Sequence, residues 1–149
     1  MAAASMTREE REKFLAETRV GLVSITDPVG GPFIVPVWYS YAPDRGIRFS
    51  TRAASRKGRL LASAGRAGFC AQSEEAPYRY VSIEGPVTIG PLDFDGHVRP
   101  TAIRYLGEDR GKAFLSSFYR GVDLGGHVLV TIQPERWRTV DYTKIPFFG

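Results

Sequence analysis

The sequence predicts a mainly β fold, an antiparallel barrel carrying short accessory helices. Three observations carry that expectation. Segments rich in β-branched and aromatic residues recur from residue 19 to the end, separated by clusters of Gly, Pro and Asp. The stretches with helical character are few and short, three or four in all, and strands and helices do not alternate as they do in a doubly wound sheet. The 149 residues, 43% hydrophobic and 24% charged, suit a single domain over 1–149 with one core.

Taken in order, Thr7 and Glu10 have capping-box spacing, and Phe14 and Leu15 give the charged helix that follows a narrow apolar stripe. MAAAS ahead of Met6 reads as an added leader. RVGLVSIT (19–26) and FIVPVWYSY (33–41) read as two strands joined by the DPVGGP turn. Pro36 lacks an amide donor, so the second strand is expected at an edge, at a bulge, or with its ladder interrupted for a ligand. GIRFST (46–51) alternates Ile47, Phe49 and Thr51 against Arg48 and Ser50, which makes a third strand and continues a meander. Ser55 then caps a short helix with Leu60, Leu61 and Ala64 inward, and Gly65 ends it.

AGFCAQS (67–73) and YRYVSIEGPVTIG (78–90) add two strands, the second long enough to bend at Gly85-Pro86. PLDFDG reads as a loop. Pro100 opens a helix that Gly107 closes, and a further helix, EDRGKAFLSSFYR, is expected to bury Phe114, Leu115 and Phe118. HVLVTIQ (127–133) and RWRTVDY (136–142) read as a closing hairpin, giving about seven strands.

The net charge of +4 is not gathered into a basic tail, which favours anionic ligands over a nucleic-acid track. Cys70 is the single cysteine, so neither an intrachain disulfide nor a cysteine-rich metal site can form, and a reducing, cytoplasmic setting fits. No apolar run approaches the roughly 20 residues that span a bilayer, and the first residues lack the order of a secretion signal.

The densest chemical feature is TRAASRKGRL (51–60), at a strand-to-helix junction. A helix start offers free amides and a positive dipole end, Thr51 and Ser55 add hydroxyls, and Arg52, Arg56 and Lys57 add charge, so a phosphate is favoured there. The alternative is a solvated basic turn in which Ser55 only caps. Neither G-x-x-x-x-G-K-[ST] nor G-x-G-x-x-G occurs. Pro36, Val37, Trp38 and Tyr39 could wall a planar ring or form an ordinary strand, and Tyr78 and Tyr80, two apart, could cover a ligand or subunit interface or pack in the core. His97 and His127 have no metal-site or triad spacing and read as surface or loop residues; Cys70 reads as a small buried apolar residue, and no catalytic side chain or metal ligand set emerges.

Five segments together, RVGLVSIT, FIVPVWYSY, FSTRAASRKGRLL, YRYVSIEGPV and ERWRTVDYTK, resemble the pyridoxamine 5′-phosphate oxidase-like split β-barrel family, including its flavin- and deazaflavin-dependent oxidoreductase branch. The resemblance covers residues from about 9 to 144 and rests on the order and spacing of those segments. It implies a split barrel of the FMN-binding type, a homodimer, and FMN or the deazaflavin coenzyme F-420 in the groove between subunits. By position, Ser55 and Lys57 correspond to the family's phosphate-binding pair, with Ser50, Thr51, Arg52 and Arg56 beside them. Pro36, Val37 and Trp38 correspond to the strand that lines the ring, and Tyr78 and Tyr80 to aromatic positions contributed across the dimer. The substrate motif of true pyridoxamine phosphate oxidases is missing from RWRTVDYTKIPFFG, and Leu60-Leu61 stands where many deazaflavin-binding relatives have Asn-Leu.

The implied activity is hydride transfer from reduced flavin or deazaflavin to a small planar substrate. Two rivals stand beside it. One is a non-catalytic flavin-binding or sensor protein of the same fold, which a pocket filled by Trp38, Tyr78 or the PFFG end would favour; the other is a basic junction that holds some other anion.

Overall fold

The computed structural model describes residues 2–119 and 125–147, the side chains of Ala2, Phe118 and Tyr119 excepted. The expected burial of Phe118, the last residue of EDRGKAFLSSFYR and the end of the PFFG segment therefore lie outside the described residues. Eight strands form one curled antiparallel sheet: β1 Gly21–Ile25, β2 Phe33–Val37, β3 Ser40–Ala42, β4 Gly46–Arg52, β5 Arg66–Gln72, β6 Arg79–Pro91, β7 His127–Ile132 and β8 Arg136–Asp141. Their order is β2-β1-β5-β6-β7-β4-β3, with β8 on β6. Four α-helices accompany them, α1 Arg8–Ala16, α2 Arg56–Ala64, α3 Arg99–Leu106 and α4 Glu108–Tyr119. The mainly antiparallel barrel expected from the sequence is the observed architecture.

The long strand β6 organises the sheet. Residues 80–86 pair with β5, 79–84 pair with β8, and 87–91 pair with β7, so the strand changes partners at Gly85-Pro86. The link from β7 to β8 crosses closely over this bend, where the Gln133 amide donates to the Pro86 carbonyl (3.0 Å) and the Glu135 amide to the Glu84 carbonyl (2.9 Å). A Cβ on Gly85 would lie 1.7 Å from the Gln133 carbonyl oxygen. The closing hairpin expected from the sequence does not form. β7 and β8 do not pair with each other because the two halves of a bent β6 each take one of them.

The expected strand 33–41 is likewise two strands. At Trp38-Tyr39 the ladder gives way to a side chain: the Tyr105 hydroxyl accepts from the Tyr39 amide (3.0 Å) and donates to the Arg19 carbonyl (2.6 Å). β2 then pairs only with β1, and β3 pairs with β4, so the meander ends there. β2 ends the strand order, where the missing amide of Pro36 is tolerated, so the edge position is the one observed.

The helix ends follow their local sequence. Thr7 Oγ1 accepts from the Glu10 amide (3.2 Å) while Glu10 accepts from the Thr7 amide (2.8 Å), completing the capping box of α1. Phe14 and Leu15 insert from this helix into the core beside Val23, Ile25, Tyr39, Ile47, Phe49, Leu61, Phe69, Val81, Ile83, Val130 and Ile132. Ser55 caps α2 and Gly65 closes it at φ 68°. Leu61 is buried, but Ala64, the last residue of α2, is exposed, contrary to expectation. PLDFDG is also more ordered than a loop: Pro91 ends β6 and residues 94–98 form one π-helical turn. Ala4 is fully buried and Lys144 Nζ donates to the Ser5 carbonyl (2.8 Å), so the segment read as a leader packs on the fold.

The π-helical turn packs against β4, where Arg48 donates to the Gly96 carbonyl (3.2 Å), and α3 and α4 continue from it as a helical cover. Arg104 ties this cover to the end of α1, donating to the carbonyls of Ala16 (2.7 Å), Glu17 (2.8 Å) and Leu15 (3.2 Å), which are the groups a helix C-terminus leaves without partners.

Candidate functional site

Strand alternation decides which residues of TRAASRKGRL meet. Ile47, Phe49 and Thr51 face the core, whereas Arg48, Ser50 and Arg52 face the other side. Between that outer face of β4 and the helical cover lies a cavity of about 250 Å³ lined by Pro36, Val37, Trp38, Ser50, Lys57, Leu92, His97, Val98, Thr101, Ala102, Phe114 and His127. The two groups of residues singled out separately in the sequence, the ring wall at 36–38 and the phosphate candidates Ser50 and Lys57, therefore border one space.

The other clamp candidates are engaged elsewhere. Ser55 Oγ accepts from the Gly58 amide (3.0 Å), donates to the Arg52 carbonyl (2.7 Å) and lies 3.3 Å from Thr51 Oγ1, so both hydroxyls serve the junction itself. Gly58 permits this close join, since a Cβ there would come 2.4 Å from the Arg52 carbonyl oxygen. Arg56 is ion-paired with Asp27, a buried carboxylate that also accepts from the Val29 amide (3.0 Å). That amide is the first cause, and Arg56 a further one, that holds the Asp27 carboxyl below its ordinary range. Arg52 is exposed at the end of β4 and does not line the cavity.

Lys57 differs from its neighbours. It is half-buried, and its ammonium has no hydrogen-bond or ion-pair partner among the described residues; burial pushes its pKa down. The amides of Arg56 and Lys57 precede the first hydrogen bond of α2, from the Arg59 amide to the Ser55 carbonyl (2.9 Å). A half-buried cation beside open helix amides and the Ser50 hydroxyl is suited to an anion.

Also lining the cavity, Trp38 stacks on Tyr105 with ring centroids 5.0 Å apart and planes 2° apart, and meets Phe114 at 6.3 Å. Trp38 thus lines the cavity as part of an aromatic wall. Tyr78 and Tyr80 do not line this cavity within their own chain: Tyr78 precedes β6 and is 54% exposed, and Tyr80 lies on β6 in register with Gln72 and Val140.

Both histidines border the cavity, which corrects their reading as surface or loop residues. His97 is 2% exposed, with Nδ1 3.4 Å from Ser40 Oγ. Burial first, and the Arg48 guanidinium second, lower its pKa to about 4, against a small opposing pull from Asp93. His127 opens β7 in register with Arg52, and its Nδ1 is buried without a partner among the described residues. Thr101 Oγ1 is also buried and unpartnered among the described residues. Spacing could not have found these residues, because each comes from the cover or from a strand distant in sequence.

A larger open groove of about 810 Å³ runs along the outer face of β1 and β5, bordered by Val20, Leu22, Cys70, Gln72, Arg79 and Tyr105. Cys70 lies there half-buried, short of the full burial expected, and burial raises its thiol pKa. The groove lacks Lys57 and Ser50.

A curled antiparallel sheet with accessory helices and a cavity at the strand-to-helix junction defines a split-barrel protein. The chain belongs to the pyridoxamine 5′-phosphate oxidase family, whose model matches residues 7–141. Among solved structures it is similar to the conserved hypothetical protein Rv2991 from Mycobacterium tuberculosis, with 25% identity and a TM-score of 0.78 over 97% of this chain and 91% of that one. It shares its fold with a protein described as an F420 reductase (19% identity, TM-score 0.69, 85% and 94% of the two chains). The same is true of a FAD-binding protein from Mesorhizobium loti (21%, 0.64, 91% and 94%). No curated protein matches the chain in sequence.

Proposed function

We propose that this protein is an oxidoreductase that holds the phosphate of FMN or coenzyme F-420 at Lys57 and delivers hydride to a small planar substrate. The observation that carries the reading is the half-buried Lys57 ammonium, unpartnered among the described residues and facing a cavity it shares with residues 36–38. An isolated cation is expensive to desolvate, and a phosphate beside it offsets that expense. Ser50 and the amides of Arg56 and Lys57 add donors, and Pro36, Val37 and Trp38 offer a flat wall to a ring. The cofactor, when bound, supplies the redox chemistry. The chain's own residues bind it, orient it and exclude water, so no side chain need act as a base. That the fold neighbours include an F420 reductase and a FAD-binding protein supports the class of cofactor.

Purified protein titrated separately with FMN and F-420, followed by absorption and fluorescence, tests binding and cofactor identity together. Lys57→Ala is expected to weaken binding about 10- to 100-fold, the range of a charge-assisted contact. Arg56→Ala is expected to matter far less, because Asp27 already engages that side chain. Equal losses in the two variants would remove Lys57 from its special place. Wild-type protein that binds neither cofactor overturns the proposal, and bound cofactor that no electron-poor acceptor reoxidises would favour storage or sensing.

The proposal includes a homodimer in a reducing compartment such as the cytoplasm. At about 250 Å³ the cavity is below the roughly 300 Å³ at which small-molecule sites usually begin, so one chain can enclose only part of such a cofactor. The outer face of β1 and β2 exposes Leu22 (41%) and Ile34 (62%), with Leu22 in register between Pro36 and Cys70. A second copy is the occupant proposed for this face. Light scattering should report a dimer, and Leu22→Glu should yield a monomer with weakened cofactor binding. A wild-type monomer that binds cofactor at full affinity would rule the dimer out.

A further inference from the structure

The cavity's wall carries two polar atoms, one on α3 and one at the start of β7, that have no protein partner among the described residues. Thr101 is 8% exposed and its Oγ1 is unpartnered among the described residues; His127 Nδ1 is buried in the same condition. Both residues line the one cavity that also holds Lys57. An unsatisfied buried hydroxyl or imidazole nitrogen destabilises the folded chain, and replacing such a group by an apolar one of the same shape relieves the penalty. Groups kept in this state around a cavity are suited to a ligand that completes their hydrogen bonds.

The placement says which part of a ligand they meet. Lys57 and Ser50 lie at the start of α2 and on β4, whereas Thr101 comes from α3 alongside Val98 and Ala102, with Trp38 and Phe114 completing the wall. We infer that Thr101 reads the heteroatom-bearing edge of the planar ring seated against residues 36–38, making this pocket selective for a heteroaromatic ring over a hydrocarbon one; His127, in register with Arg52, lies at the phosphate end instead. This rests on the cofactor reading above and adds one specificity-determining residue from outside the phosphate clamp.

The test compares cofactors with and without their phosphate. FMN and riboflavin form one pair; F-420 and its phosphate-free deazaflavin chromophore form the other. Thr101→Val is expected to raise the Tm of the ligand-free protein by about 2–4 °C, the shift expected when a domain of this size loses one unsatisfied group. It is also expected to weaken both members of the bound pair about 10-fold and equally. Thr101→Ser should retain wild-type affinity. Lys57→Ala, by contrast, should weaken only the phosphorylated member. If wild-type protein binds and Thr101→Val leaves the affinity of both members unchanged, or weakens only the phosphorylated one, the ring-edge assignment is wrong while the cofactor reading stands. If wild-type protein binds neither pair, both fall together.

Discussion

Gly85→Ala is expected to destabilise the protein by about 4 kcal/mol or more, enough to leave little folded chain if the total stability is in the usual range of roughly 5–15 kcal/mol. The new methyl group would meet the Gln133 carbonyl at 1.7 Å and the Glu135 amide nitrogen at 3.3 Å, and both are backbone atoms that no rotamer change can move. Accommodation requires lifting the β7–β8 link off the bend. That breaks the hydrogen bonds from Gln133 to Pro86 and from Glu135 to Glu84, and it shifts strands that pair with both halves of β6. Gly90→Ala provides the control, since nothing lies within 4 Å of a Cβ at that position of the same strand. Urea denaturation of the two variants reads the difference directly. Similar midpoints would mean that the crossing at Gly85 is not as close as described.

The second large effect is a loss of stability on mild acidification, and His97 is its source. Folding lowers the pKa of this imidazole from its ordinary 6.5 to about 4, through burial and the neighbouring Arg48, so the folded state resists a proton that the unfolded chain accepts. The contribution of the neutral ring is therefore fully present above pH 6.5, declines as pH falls, and is lost by about pH 4. The interval corresponds to on the order of 3 kcal/mol. Carboxylates do not confuse the upper part of this window. Glu10, held low by Lys144, Asp27 by the Val29 amide, and Glu135 by Arg66 contribute above their ordinary values of 4.5, 3.8 and 4.5, and their contributions fall away only below those values. Unfolding free energies measured between pH 7 and 4.5 should drop steeply in wild type and stay nearly flat in His97→Gln. A wild-type profile as flat as the variant's would count against a buried neutral imidazole.

What the sequence made legible follows from how local each signal is. The caps at Thr7, Ser55, Gly65 and Gly107 depend on residues within one turn, and the helices start and stop where those residues indicate. The alternation of Ile47, Phe49 and Thr51 against Arg48 and Ser50 likewise placed β4 and its faces. Pairing was harder to read. Proximity in sequence favours a β7–β8 hairpin, yet a bent thirteen-residue β6 offers both strands better partners, and nothing near residue 134 announces that. The site divides in the same way. Lys57 and residues 36–38 could be singled out by type and order, and the fold brings them to one cavity. The engagement of Arg56 by Asp27, 29 residues away, and the inward placement of His97, Thr101 and His127 depend on the packing of the helical cover, which has no local signature.

Two side chains of that cover fasten it to the other end of the barrel. Arg104 grips three carbonyls at the end of α1, and Tyr105 stands in for a missing ladder at Tyr39 while stacking on Trp38. Residues 92–119 can thus be viewed as a cassette: a different insert could present other side chains to the same barrel, provided it kept an arginine and a tyrosine at these two stations. Ligand preference could then diversify by exchange of the cassette, while the strands, the α2 junction and Lys57 remained untouched.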